Sequence, residues 1–155
     1  MSDQPATILV VDDVPENVRL LEAVLDGEGY DVVSTTDGLA ALELAVSAKP
    51  DLVLLDVMMP PPDGLAVCRQ LRKQRETAVL PVLMLTASEG SEKQTAIAAG
   101  ADDFIAKPFN RAELLTRIRS LIRIKRYHDM IEAQATELLD LTRTLDEREV
   151  PPLDT

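Results

Sequence analysis

The chain has 155 residues, 46% hydrophobic and 3% aromatic with no tryptophan, which suits one folded domain with an aliphatic core and some chain to spare. A formal net charge of −11 argues against binding nucleic acid or an anionic membrane surface, and leaves room for a cationic or metal partner. The single cysteine, Cys68, excludes an internal disulfide; no apolar stretch reaches the ~20 residues of a membrane span, and the N-terminus does not read as a signal peptide, so the expected location is the cytoplasm.

Short apolar runs alternate with helical patterns, the signature of a parallel α/β sheet. Strand one is predicted over Thr7–Val11, after a flexible end over 1–6. Pro15 suits the first turn of helix one, Val18, Leu21, Val24 and Leu25 form its apolar stripe, and Gly27 or Gly29 ends it. Strand two falls near Asp31–Ser34, with Asp37-Gly38 as a turn, and helix two carries Ala41 to Val46 before Lys49-Pro50. Strand three, Leu52–Asp56, is apolar up to its last residue, as expected for a central strand covered on both faces. Helix three covers about Gly64–Lys73, strand four Val82–Leu85, helix four Glu89–Ala99 and strand five Asp103–Ala106. Helix five starts near Arg111, with Asn110 as its N-cap and Glu113 three residues on. Cys68, in Leu65-Ala66-Val67-Cys68, reads as a small buried side chain rather than a nucleophile.

Helix five has no stop signal before Pro151. Beyond Leu121, Ile124, His128, Ile131, Ala135, Leu138, Thr142 and Leu145 recur at alternating steps of four and three, a heptad seam with weak places at His128 and Thr142. This predicts a helical extension over 124–149 that pairs with a second copy, giving a homodimer; a single amphipathic helix folded back on the domain is the plainer alternative. Residues 150–155 read as a frayed end.

Four features fall at strand ends in one register. Asp12-Asp13 follow strand one, Asp56 ends strand three, Thr86 follows strand four and Lys107-Pro108 follow strand five. In open α/β sheets the C-terminal strand edge is where ligands bind. Phosphoryl transfer asks for charge neutralisation and positioning rather than elaborate covalent machinery. Asp56 is then the nucleophile, giving an acyl phosphate. Carboxylates repel an incoming phosphate, so a hard cation is required. Asp12, Asp13 and Asp56 offer oxygens suited to Mg²⁺, with the Met58 carbonyl as a further ligand. Lys107 supplies a point charge and Thr86 a hydroxyl for phosphate oxygens. Each feature alone is weak: an Asp pair can simply cap a helix, and Lys-Pro by itself means nothing.

Together, Ile8–Asp13, Leu52–Pro60 with Asp63-Gly64, Val82–Ala87 and Ala99–Pro108 resemble the receiver domain of two-component response regulators, over about 7–123. The resemblance implies a flavodoxin-like (βα)5 doubly wound parallel sheet of order 2-1-3-4-5, here with helix five extended. It implies that Asp56 takes a phosphoryl group from the phosphohistidine of a sensor histidine kinase or phosphotransfer protein, with Mg²⁺ on Asp12 and, more directly, Asp13. It further implies Thr86 as the switch hydroxyl, Phe104 as the switch aromatic, a small Ala87 that keeps the phosphoryl group accessible, and a cis Lys107-Pro108 bond. The sequence departs from the family pattern at Pro61-Pro62, where a glycine is usual after Met59-Pro60.

On this reading, phosphorylation moves Thr86 toward the phosphate and Phe104 into the space it leaves. That reshapes the face of helix four, strand five and helix five, and passes the change into the C-terminal helix. The chain is expected to be a switch rather than an enzyme, either a fragment or a stand-alone adaptor. A pseudo-receiver acting as a phosphorylation-independent scaffold is the alternative. A haloacid-dehalogenase-like phosphatase needs a second Asp where Met58 stands, and a Rossmann domain needs glycines where the chain reads Asp12-Asp13-Val14-Pro15.

Overall fold

A computed structural model describes residues 4–87 and 90–149. Five parallel strands, β1 (Thr7–Val11), β2 (Asp31–Thr35), β3 (Leu52–Asp56), β4 (Val82–Thr86) and β5 (Asp103–Ala106), form one sheet in the order β2-β1-β3-β4-β5. The helices are α1 (Pro15–Gly27), α2 (Gly38–Ser47), α3 (Gly64–Lys73), α4 (Ser91–Ala98) and α5 (Arg111–Glu149). This is the flavodoxin-like architecture expected from the alternating pattern.

The strands explain their own composition. Leu9, Val11, Val53, Leu55, Val82 and Met84 face one core, closed by Ala41 and Ala45 of α2, by Val67, Cys68 and Leu71 of α3, and by Ala96 of α4. Their neighbours Ile8, Val10, Leu52, Leu54, Leu83 and Leu85 face the other, closed by Leu21 and Leu25 of α1 and by Leu114, Leu115 and Ile118 of α5. Alternate side chains point to opposite faces, so a strand covered on both sides must be apolar throughout. Each such buried Leu contributes about 1.5–3 kcal/mol.

Helix starts follow their caps. Pro15 opens α1; Asp37 Oδ1 accepts from Leu39 N at 3.2 Å, and Asp63 Oδ1 accepts from Ala66 N at 2.8 Å. Asn110 Oδ1 accepts from Ala112 N at 2.8 Å and Glu113 N at 3.2 Å, the cap anticipated for α5. Differences from expectation are local. Asp37-Gly38 is the start of α2 rather than a separate turn, because the Asp37 side chain caps it directly. Helix α4 is shorter than predicted, Ser91–Ala98, while Glu89 lies outside the described residues. A 3-10 turn over Arg75–Thr77, not foreseen, leads into β4. Ala6, expected in a flexible end, is buried, and its carbonyl accepts from Asp31 N at 3.0 Å. The predicted frayed end at 150–155 lies outside the described residues.

The chain divides into two compact units between Lys125 and Arg126. In the second, the side chains from Asp129 to Glu147 are exposed along α5. Among the described residues, no helix is long and apolar enough to cross a membrane.

Candidate functional site

The parallel register brings the strand ends level. Val11 pairs with Leu55, Asp56 with Leu85 and Thr86 with Ala106, so the residues just past β1, β3 and β5 surround one point at the C-terminal edge of the sheet. Asp12, Asp13 and Asp56 each bring a carboxylate oxygen there, all within 4.8 Å of one another. Asp12 is fully buried, Asp56 is 5% exposed and Asp13 is half-buried. Lys107 reaches in from the loop after β5, its Nζ 3.2 Å from Asp12 Oδ2 and 3.4 Å from Asp56 Oδ1. The Lys107–Pro108 peptide bond is cis, as is Pro61–Pro62.

Backbone and side-chain donors hold these acids in place. Asp12 Oδ1 accepts from Val14 N at 3.0 Å and from Asn17 Nδ2 at 3.4 Å. The N–H of Met58 donates to Asp56 Oδ1 at 3.2 Å. Burial pushes the Asp56 carboxyl above the ordinary aspartate range, and the charge of Asp12 pushes it further; Lys107 and the Met58 N–H pull partly the other way. One lysine facing two buried carboxylates leaves the cluster short of positive charge. Oxygen donors at this spacing suit a hard divalent cation such as Mg²⁺. On this geometry and chemistry the residues fit the metal.

The remaining predicted residues stand close by. Thr86 is fully buried, and its hydroxyl lies 3.5 Å from the Ile105 carbonyl. Ala87 and Met58 are exposed. Phe104 is partly buried against the α2–α3–α4 core, with the Lys93 ammonium 5.0 Å from its ring centroid. A cleft of about 240 Å³ opens beside the acids, lined in part by Asn17, Leu20, Lys107 and Phe109.

Two contributors escape sequence reading. Asn17 sits on the first turn of α1, where its only signal was nearness to Asp12-Asp13. Gly64 lies so close to the Asp56 carbonyl that a Cβ there would collide with it and would sit 2.8 Å from Val57 Cα. That glycine lets α3 start directly beneath the site loop; in the sequence it read as a helix start and, with Asp63, as part of the receiver resemblance, without this packing role.

An acidic cluster at the strand ends of a 2-1-3-4-5 sheet marks a flavodoxin-like domain with its site at the C-terminal sheet edge. The model of the response regulator receiver domain family matches residues 8–119. Over 121 residues the chain is 47% identical to response regulator PleD of Caulobacter vibrioides, covering 77% of this chain and 27% of that protein. Over 144 residues it is 45% identical to response regulator MprA of Mycobacterium bovis, covering 92% of this chain and 62% of that protein. The receiver domain of sensor histidine kinase PA1611 from Pseudomonas aeruginosa, with a magnesium ion coordinated in its active-site cleft, superposes with a TM-score of 0.71 at 34% identity, covering 76% of this chain and 98% of that one. The chain belongs to the receiver domain family of two-component response regulators. It spans between about a quarter and three fifths of the length of these two curated relatives.

Proposed function

We propose that this receiver is a phosphorylation switch in which Asp56 is the phosphoacceptor. The observation that carries the reading is the meeting of Asp12, Asp13, Asp56 and Lys107 at one strand edge, with Lys107 Nζ within 3.4 Å of Asp56. An Asp56 carboxylate oxygen attacks the phosphorus of a phosphohistidine on a sensor kinase or phosphotransfer protein. The P–N bond breaks as the P–O bond of the acyl phosphate forms, and the imidazole nitrogen takes the electron pair. Asp12, Asp13, Asp56 and the carbonyl of Met58 are the ligands for Mg²⁺, which supplies charge neutralisation when bound. Lys107, the Thr86 hydroxyl and the backbone at Ala87 receive the phosphoryl oxygens, while the small side chain of Ala87 leaves the way in open.

Phosphorylation adds about two negative charges at Asp56. The Thr86 hydroxyl then leaves Ile105 for a phosphoryl oxygen, and Phe104 fills the space behind it. The face of α4, β5 and α5 carries that change into the C-terminal helix. This extension, over 124–149 and following a receiver of 7–123, pairs with a second copy through a stripe that includes Ile131, Leu138 and Leu145, all exposed. The switch works in the cytoplasm, on protein partners rather than nucleic acid, and catalyses nothing beyond its own phosphorylation and dephosphorylation.

Intact mass after incubation with Mg²⁺ and acetyl phosphate tests the reading. A gain of about 80 Da in the wild type and none in Asp56→Asn is expected. No gain even from a competent phosphohistidine donor overturns it in favour of a phosphorylation-independent scaffold.

A further inference from the structure

The second unit offers a more specific feature than an apolar stripe. Tyr127, Ile131, Leu138, Leu141 and Leu145 are 50–66% exposed. With Gln134 between them, they recur at steps of four, three, four, three and four, which is the heptad spacing. Charge follows the same period. Counted from this seam, Arg126, Asp129, Glu132, Asp140, Arg143, Asp146 and Glu147 all take the three outward positions of the heptad; between 126 and 147 Glu137 alone carries charge beside the seam, and the next seam position after Leu145 is Arg148. Leu139 is the apolar residue left facing outward. The series with His128, Ala135 and Thr142 shares Ile131, Leu138 and Leu145. It centres on an imidazole, a methyl and a hydroxyl, however, and sets Glu132 and Asp146 beside the seam. The His128 ring also lies 3.5 Å from Glu132 and 3.7 Å from Asp129.

We infer that α5 pairs in parallel with a second copy of this chain through Tyr127, Ile131, Gln134, Leu138, Leu141 and Leu145, with His128, Ala135 and Thr142 outside the contact. The inference rests on the dimer reading above and fixes its register. A chain with a net charge of −11 repels its copy, so a self-pairing surface must keep charge away from the contact, and the six seam residues from Tyr127 to Leu145 are all uncharged. Gln134 fixes the direction. In a parallel pair each Gln134 faces its own copy, where one amide donates and the other accepts. In a full-length antiparallel pair it faces Leu138, and its amide is buried without a partner. A single polar seam residue of this kind selects register and orientation at some expense of stability.

Sedimentation equilibrium on the full chain, with and without Mg²⁺ and acetyl phosphate, tests this in three variants whose changed residues are all exposed. Leu138→Asp abolishes the dimer in either register. Leu141→Asp weakens it by about a hundredfold or more, because each copy buries an unpaired charge. Thr142→Asp changes it by no more than about threefold. Loss with Thr142→Asp and retention with Leu141→Asp overturns the register while the dimer reading stands. A monomeric wild type in both conditions overturns the dimer reading and the inference together. For orientation, Gln134→Cys in a Cys68→Ser background cross-links to its copy on mild oxidation; a dimer that fails to cross-link overturns the parallel arrangement.

Discussion

Replacing Lys107 with Ala removes the cation that faces two buried carboxylates. Its ammonium is 3.2 Å from Asp12 and 3.4 Å from Asp56, acids whose side chains are 0% and 7% exposed. Deleting one partner of a fully buried pair costs about 3–5 kcal/mol. The Lys107 side chain is 28% exposed, so water screens part of the interaction, and about 2 kcal/mol is expected. For a chain of this size that is a fall in melting temperature of about 4–8 °C in metal-free buffer at pH 7. The sign of the pH dependence follows from Asp56. Its folded pKa is already raised by burial and by Asp12, with Lys107 pulling it down, so the variant raises it further. A carboxyl with a raised folded pKa loses stability as pH climbs from its ordinary value of 3.8 through the folded one. The gap between wild type and Lys107→Ala therefore opens above about pH 4 and widens as pH climbs through the raised folded pKa. Saturating Mg²⁺ supplies the missing charge and closes most of it. Thermal melts from pH 4 to 8, with EDTA or Mg²⁺, measure all of this, with the exposed Lys73→Ala expected within about 0.5 kcal/mol of wild type. A gap independent of pH, or untouched by Mg²⁺, refutes the reasoning.

Asp56→Asn removes one of the two buried anions that Lys107 faces, so in EDTA the variant is expected to melt above wild type, by a margin that grows as pH rises above about 4. Mg²⁺ at ten times its dissociation constant raises wild-type stability by about 1.4 kcal/mol and should raise that of Asp56→Asn far less; equal effects contradict the assignment of Asp56 as a ligand. Gly64→Ala forces the start of α3 away from the Asp56 carbonyl, with an expected cost of about 2 kcal/mol or more by urea unfolding and weaker Mg²⁺ binding in the same protein. Cys68 is buried and burial pushes its thiol up, so a thiol reagent should label it only at the rate of unfolding; rapid labelling of the native protein contradicts its place in the core.

The sheet was readable because each strand is short, built on an apolar run and bounded by turn residues, and because two-sided burial leaves no other use for Leu52-Val53-Leu54-Leu55. The acids, Thr86 and Lys107 were readable because parallel pairing places every strand's C-terminal end on one edge, so position along the strand already gives position in space. What stayed hidden depends on contacts between distant segments. Nothing in the sequence marks Arg72 as a clamp, yet its guanidinium donates to Gly100 O at 2.9 Å and Leu80 O at 2.6 Å and pairs with Asp102 at 2.8 Å. The 3-10 turn before β4 is held by a local bond to the end of α3 that side-chain pattern does not show, the Thr77 hydroxyl donating to Leu71 O at 2.7 Å. Tyr127 and Leu141 were passed over because the four-three count was carried on from Leu121. The register inferred above rests instead on the partition of charge along the second unit.

The central claim is that Asp56 accepts the phosphoryl group, and it is tested most directly by locating the label after transfer from a phosphorylated histidine donor. Borohydride reduction of the trapped acyl phosphate followed by peptide mapping reads the position. The account predicts modification at Asp56 alone, lost in Asp56→Asn. Modification at Asp12 or Asp13, or none at all from a donor that phosphorylates other receivers, would contradict it.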